Sequence, residues 1–229
     1  MALFTIGDTH LSFGTDKPMD IFKGWSDYTD RLENTWRAIV KEEDTVVIPG
    51  DVSWGMSLQS ALPDLQFLNS LPGTKILGKG NHDYWWETMR KMTNFIEQNE
   101  LSTIKILFNN AYRIDDFTVC GTRGWFFDAE TENVEKILNR EAGRLRMSLD
   151  AAMQLGGEPI VFLHYPPLYE DKICREIYDV LLEYNVKRCY FGHLHGLSGS
   201  KYSLFERDGI RFSLVAADFL SFCPKIVSL

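Results

Sequence analysis

Short apolar runs that close on glycine alternate along this chain with longer segments whose apolar residues recur at helical spacing. Residues 2–6 are apolar up to Gly7, and Leu32, Trp36, Ile39 and Val40 then repeat with the period of a helix face. Residues 45–48 and 75–77 form two more β-branched or aliphatic runs, ending in Pro49-Gly50 and Gly78-Lys79-Gly80. Leu58, Leu62, Leu65 and Leu68 predict a helix between them, with Pro63 starting or kinking it. A helix over 87–99 is followed by short strands near 104–107, 112–114 and 117–120, where the sheet is expected to turn mixed.

The second half repeats the alternation. Residues 130–154 are charged but carry Val134, Ile137, Leu138, Leu145, Leu149 and Met153, which predicts a helix broken at Gly143. Strands are expected over 159–163 and 189–191, with a helix through Ile173, Ile177, Val180, Leu181 and Tyr184 between them. Asp208-Gly209 between alternating segments marks a hairpin, and a last strand lies near Val227. Strand–helix alternation of this kind belongs to the α/β class.

Composition narrows the class of protein. With 229 residues and 45% apolar content the chain buries a sizeable core, and residues 1–229 are expected to form one domain. The apolar start reaches Gly7-Asp8 too soon for a secretory signal, and no run approaches the ~18 apolar residues of a membrane helix. A cytoplasmic protein without membrane contact is the expectation. Cys120, Cys174, Cys189 and Cys223 are widely spaced and read as reduced thiols. A net charge of -8 argues against a grip on extended nucleic acid.

All five histidines fall in short clusters after apolar runs: Asp8-Thr9-His10, Gly80-Asn81-His82-Asp83, His164 and Gly192-His193-Leu194-His195, with Gly50-Asp51 between the first two. One such fragment alone is a turn. Together they supply the mixed oxygen and imidazole donors, and a carboxylate able to bridge, that two close dications require. Gly7, Gly50, Gly80 and Gly192 open four of these motifs, where the backbone must turn sharply.

In this order the motifs resemble the calcineurin-like metallophosphoesterase superfamily, across most of the chain. The resemblance implies a four-layer α/β/β/α sandwich, two mixed sheets packed face to face with helices outside. It assigns Asp8, His10, Asp51 and His195 to one metal and Asp51, Asn81, His164 and His193 to the other. A hydroxide shared by metals roughly 3.5 to 4 Å apart would attack phosphorus in line. His82 would protonate the leaving alkoxide or steady the phosphoryl charge, with Asp83 orienting its ring; the alternative for Asp83 is a helix cap. The donors suit Mn, Fe, Zn or Co, with manganese or iron the first expectation.

Outside the motifs, Arg123 in Gly121-Thr122-Arg123-Gly124 is the candidate phosphate-gripping cation. Tyr84-Trp85-Trp86 would either stack a planar leaving group or pack a helix on the sheet, and packing is favoured; Trp25 and Trp54 read the same way. The helical stretch with Arg140, Arg144 and Arg146 would be a solvated face or a cap over the pocket. Gly50-Asp51 is followed by Val52-Ser53-Trp54-Gly55 and not by the Asp-Arg-Gly of the protein phosphatase branch, which puts protein phosphatase activity in doubt. The leading expectation is a phosphohydrolase for a small phosphomonoester or phosphodiester, such as a nucleotide. A nuclease-like phosphodiesterase and a noncatalytic metal-binding interaction module are the alternatives.

Overall fold

The structure is a computed structural model that describes residues 1–125 and 134–228. Strands β1 (Leu3–Thr5), β2 (Thr45–Pro49), β3 (Thr74–Gly78) and β4 (Ile104–Ile106) are joined through helices α1 (Tyr28–Ile39), α2 (Leu58–Ser70) and α3 (Met89–Gln98). The chain continues through β5 (Tyr112–Ile114), β6 (Phe117–Thr122), α4 (Val134–Leu155) and β7 (Glu158–Leu163). A two-residue-per-strand hairpin, β8 (Leu168–Tyr169) and β9 (Lys172–Ile173), precedes α5 (Arg175–Glu183), β10 (Arg188–Phe191), β11 (Phe205–Arg207), β12 (Ile210–Leu214) and β13 (Lys225–Ser228).

One five-stranded sheet runs β13-β1-β2-β3-β4 and one six-stranded sheet runs β11-β12-β10-β7-β6-β5. In the first, β1 to β4 are parallel and β13 joins β1 antiparallel. In the second, β12, β10, β7 and β6 are parallel, flanked by antiparallel β11 and β5. Both sheets are therefore mixed, as expected.

Alternation along each strand builds the layers. Val47 and Ile76 face the six-stranded sheet, where they join Val119, Ile160, Phe162 and Tyr190 in the central core. Their neighbours Val46, Ile48 and Leu77 point outward, into a core shared with Leu32 and Trp36 of α1, Leu65 and Leu68 of α2 and Met92 of α3. On the other side Val161 and Leu163 meet Leu145 and Leu149 of α4 and Ile177 and Leu181 of α5. Strands buried on both faces read as unbroken apolar runs, which is why they stand out in the sequence. The result is the four-layer α/β/β/α arrangement, helix layers outside two facing sheets.

Three local expectations need correction. Pro63 does not start α2: the helix begins at Leu58 behind a Ser57–Ser60 capping box, and Pro63 lies inside it. Gly143 does not break α4. Leu138, Ala142, Leu145 and Leu149 are all buried along one face, and that burial outweighs the ~1 kcal/mol a helical glycine costs. Ile173 belongs to the β8–β9 hairpin, and α5 starts at Arg175 behind Cys174. Of the stretch 130–154, residues 130–133 lie outside the described residues.

Cys120, Cys174, Cys189 and Cys223 are all free thiols. Among the described residues no helix is long and apolar enough to cross a membrane. Phe162 is fully enclosed between the sheets and stacks on Tyr190 with ring centroids 5.4 Å apart. Phe162→Ala is expected to cost about 3–5 kcal/mol of unfolding free energy by urea titration.

Candidate metal centre

The parallel strands of both sheets deliver their following loops to one rim. β1 leads to Asp8 and His10, β2 to Asp51, β3 to Asn81, His82 and Asp83, β7 to His164, and β10 to His193 and His195. Ladder-like bonds continue past the strands: Asp8 N–H donates to the Gly50 carbonyl, His10 N–H to that of Asp51, and Gly192 N–H to that of His164. Asp8, His10, Asp51 and His193 all adopt left-handed backbone with φ of 55°, 45°, 49° and 70°. Such conformations cost roughly 1–3 kcal/mol each and persist only where surrounding structure holds them. Side-chain space is equally constrained, since a methyl group on Gly80 would run into the Asp51 carboxylate and one on Gly192 into that of Asp8.

All seven expected ligands belong to these converging loops. His10 Nε2 and His195 Nε2 stand 3.1 Å apart, and both rings reach toward Asp8 and Asp51. Asp8, His10 and His195 form one group of donors close enough to hold a cation; Asp8, Asp51 and His164 form a second. Asn81 Oδ1 lies 2.6 Å from His164 Nε2 and adds an oxygen to the second group. Asp51 sits between them, its Oδ2 3.7 Å from His10 Nε2 and 3.6 Å from His164 Nε2. The His193 ring is 5.2 Å from that of His164, while its backbone N–H donates to Asp8.

Electrostatics make this cluster incomplete on its own. Burial pushes Asp8 up to about 7, against the pull of His195 and the His193 amide. Burial, with Asp83 and Asp8 nearby, pushes Asp51 up to about 9. Burial and neighbouring histidines hold His10 and His164 well below the ordinary imidazole range, so they are neutral donors at pH 7. His10 Nδ1 and His164 Nδ1 are buried without a hydrogen-bond partner among the described residues. Buried carboxylates beside neutral imidazoles with converging lone pairs fit divalent transition metals, which would satisfy both.

The family model for calcineurin-like phosphoesterases matches residues 1–197. This chain belongs to that family. No curated protein matches the sequence. Among solved structures it is similar to TT1561 of Thermus thermophilus, with a TM-score of 0.61 and 12% identity over 99% of this chain and 97% of that one. It is also similar to a phosphopantetheinyl hydrolase from Mycobacterium tuberculosis, with a TM-score of 0.56 and 14% identity over 99% of this chain and 95% of that one. At such identities the likeness is one of fold alone.

Around the metal loops of this calcineurin-like domain, several expectations change. Asp83 does not orient His82: its carboxylate accepts from the N–H groups of Val52, Ser53 and Gly80 and from Trp85 Nε1. Nor does it cap α3, whose cap is Thr88. It ties the Asp51 and Asn81 loops together. The His82 ring instead packs 4.5 Å from Trp54 and meets Tyr84 Oη at 3.5 Å. Burial, His195 and Lys17 all lower its pKa.

Arg123 holds Glu141 with a 3.7 Å ion pair and lies over the Trp125 ring, while its Nε is buried without a partner among the described residues. Glu141 is in turn bonded by Arg144 and Thr122. Arg140 lies 4.0 Å from the same carboxylate, and Arg146 pairs with Glu183. Trp85 packs in the core and Trp86 against Phe108, in line with the packing reading, and Tyr84 stays exposed. Trp25 and Trp54 do more than pack: with His10, His82 and His195 they line a cavity of about 450 Å³.

Sequence reading missed Asp218. It follows β12, accepts from His195 Nδ1 at 3.0 Å and from Gly196 N–H at 2.8 Å, and so aims His195 Nε2 at Asp8. Burial alone would lower His195, but the Asp218 hydrogen bond and the Asp8 charge raise it. Its cue, a carboxylate shortly after an apolar strand, carried no histidine to mark it. Asp218→Ala is expected to weaken metal binding about 10–100-fold by competition with a chelating dye, with Asp218→Asn intermediate because its amide oxygen still accepts from Nδ1.

Linkage gives a second expectation. Asp8 and Asp51 have folded pKa values above the ~3.9 of an unfolded aspartate, so the folded chain retains protons and its stability falls as pH rises. His10 and His164 act oppositely, but only below their ordinary pKa near 6.5. Chelated protein should therefore lose about 1 kcal/mol of stability between pH 7 and 8 by urea titration. Asp51→Asn should flatten that slope, and added Mn(II) should reverse it.

Proposed function

We propose that this chain is a hydrolase of small phosphoesters built on two transition-metal ions. Asp8, His10, Asp51 and His195 would hold one ion; Asp51, Asn81, His164 and His193 would hold the other. The observation that carries the reading is Asp51 Oδ2, one carboxylate oxygen 3.7 Å from His10 Nε2 and 3.6 Å from His164 Nε2. Ions such as manganese, iron or zinc would supply a water of lowered pKa and Lewis acidity toward the phosphoryl oxygens. A formal charge of -8 supports a small substrate over a nucleic acid polymer.

The protein's own groups complete the chemistry. Asp8 and Asp51 would give up their protons to the ions, and the backbone bonds they accept fix where their carboxylates point. His82 lines the cavity beside His10 and His195, where its ring would give a proton to the departing oxygen. Asp83 locks the two loops that carry Asp51 and His82. Arg123, held at one end by Glu141, would offer its guanidinium to a phosphoryl oxygen. The Tyr165 N–H bond to the Arg123 carbonyl ties this residue beside His164.

Metal-reconstituted protein should turn over small mono- or diesters such as nucleotides and sugar phosphates. Asp51→Ala should lose both bound metal, by elemental analysis, and turnover. His82→Ala should keep its metal and lose about 10²–10⁴-fold in kcat. Equal turnover by wild type and both variants would overturn the reading.

A further inference from the structure

The segment over residues 12–27, between the Asp8–His10 loop and α1, folds into successive turns over the mouth of the candidate centre. Phe22 N–H bonds the Met19 carbonyl, Trp25 N–H that of Phe22, and Tyr28 N–H that of Trp25. Three contacts clamp this strap to the site. Tyr28 Oη donates to the His10 carbonyl at 3.0 Å, Trp54 Nε1 to Met19 Sδ at 3.3 Å, and the Trp25 ring sits 5.7 Å from that of His195. The strap thus walls the cavity of about 450 Å³, whose floor is His10, His82 and His195.

The walls have a specific chemistry. Met19, Phe22, Trp25 and Trp54 are apolar, and Trp54 stacks on His10 with ring centroids 4.9 Å apart. Asp218, the one acidic group among the described residues of the lining, already accepts from His195 and Gly196. Lys23 lines the cavity, and Lys17 Nζ stands 5.6 Å from the Trp54 ring centroid. Both lysines are exposed, so an entering ring displaces a weak cation–π contact and no core packing. Phe22 leaves 53% of its surface in solvent and Ile21 leaves 73%, although neither is needed to close the core.

We infer that this cavity receives a planar aromatic leaving group, so that the preferred substrate is a phosphoester carrying an aryl or nucleobase ring on the alcohol side. A phosphorus atom over the metal donors, with its departing oxygen toward His82, directs that alcohol into the cavity lined by Trp54 and Phe22. The ring gains aromatic stacking and desolvation there, and a short aliphatic group gains neither. The inference rests on the phosphoester-hydrolase reading for the reaction, but its binding component stands apart from turnover.

Mn(II)-loaded protein titrated calorimetrically with phenylethylphosphonate and ethylphosphonate separates the two. Wild type should bind the aryl compound about tenfold tighter or better, and Trp54→Leu and Phe22→Ala should each shrink that ratio. Equal affinities in wild type, or a ratio unchanged in both variants, would overturn the inference. Hydrolysis of phenylethyl and ethyl phosphate, each as monoester and methyl diester, tests the earlier reading. Aryl-selective binding with no turnover of any ester would sink the hydrolase and leave the aromatic pocket standing.

Discussion

Three carboxylates, Asp8, Asp51 and Asp83, are buried within one another's field at the rim where the two sheets meet, and the rest of the site is arranged around that repulsion. Like charges in a low-dielectric pocket are unfavourable unless hydrogen bonds and cations offset them. Each carboxylate accordingly accepts backbone N–H bonds: Asp8 from His193, Asp51 from His82, and Asp83 from Val52, Ser53 and Gly80. All but the Gly80 bond cross between loops distant in sequence, so the carboxylates crowded together there also join the loops. The strained backbone at Asp8, His10, Asp51 and His193 is maintained by the same network.

Much of the fold is legible in the sequence because its parallel strands are buried on both faces and therefore appear as uninterrupted apolar runs bounded by glycine. The site is legible for a related reason: each donor follows such a run, and histidine occurs nowhere else in the chain. What escapes is everything decided by direction in space. Asp83 looks like a partner for its neighbour His82, yet its side chain turns back to the Asp51 loop. Asp218 lies beyond the segment shared with the family and shows its role only through His195 Nδ1. Pro63 and Gly143 mislead because local propensity says nothing of the buried face that overrides it.

The two flanks of the rim differ in chemistry. On the His10 side the walls are Trp25, Trp54, Met19 and Phe22. On the Arg123 side, Lys79, Thr122, Arg123 and Arg144 gather around the buried Glu141 carboxylate, which is bonded by Thr122 and Arg144. Under the proposed function, an apolar flank and a cationic one would give a phosphoester a defined orientation before any bond is broken.

The pairing of β13 with β1 sets Phe4 opposite Ile226. The sheet that carries Asp8, His10, Asp51 and Asn81 therefore gains its last strand only when nearly the entire chain is available. Loop closure over such a separation is entropically slow and raises contact order. During synthesis, the early acidic loops leave the ribosome before His193, His195 and Asp218, so the donor set cannot be complete until these later residues have been made.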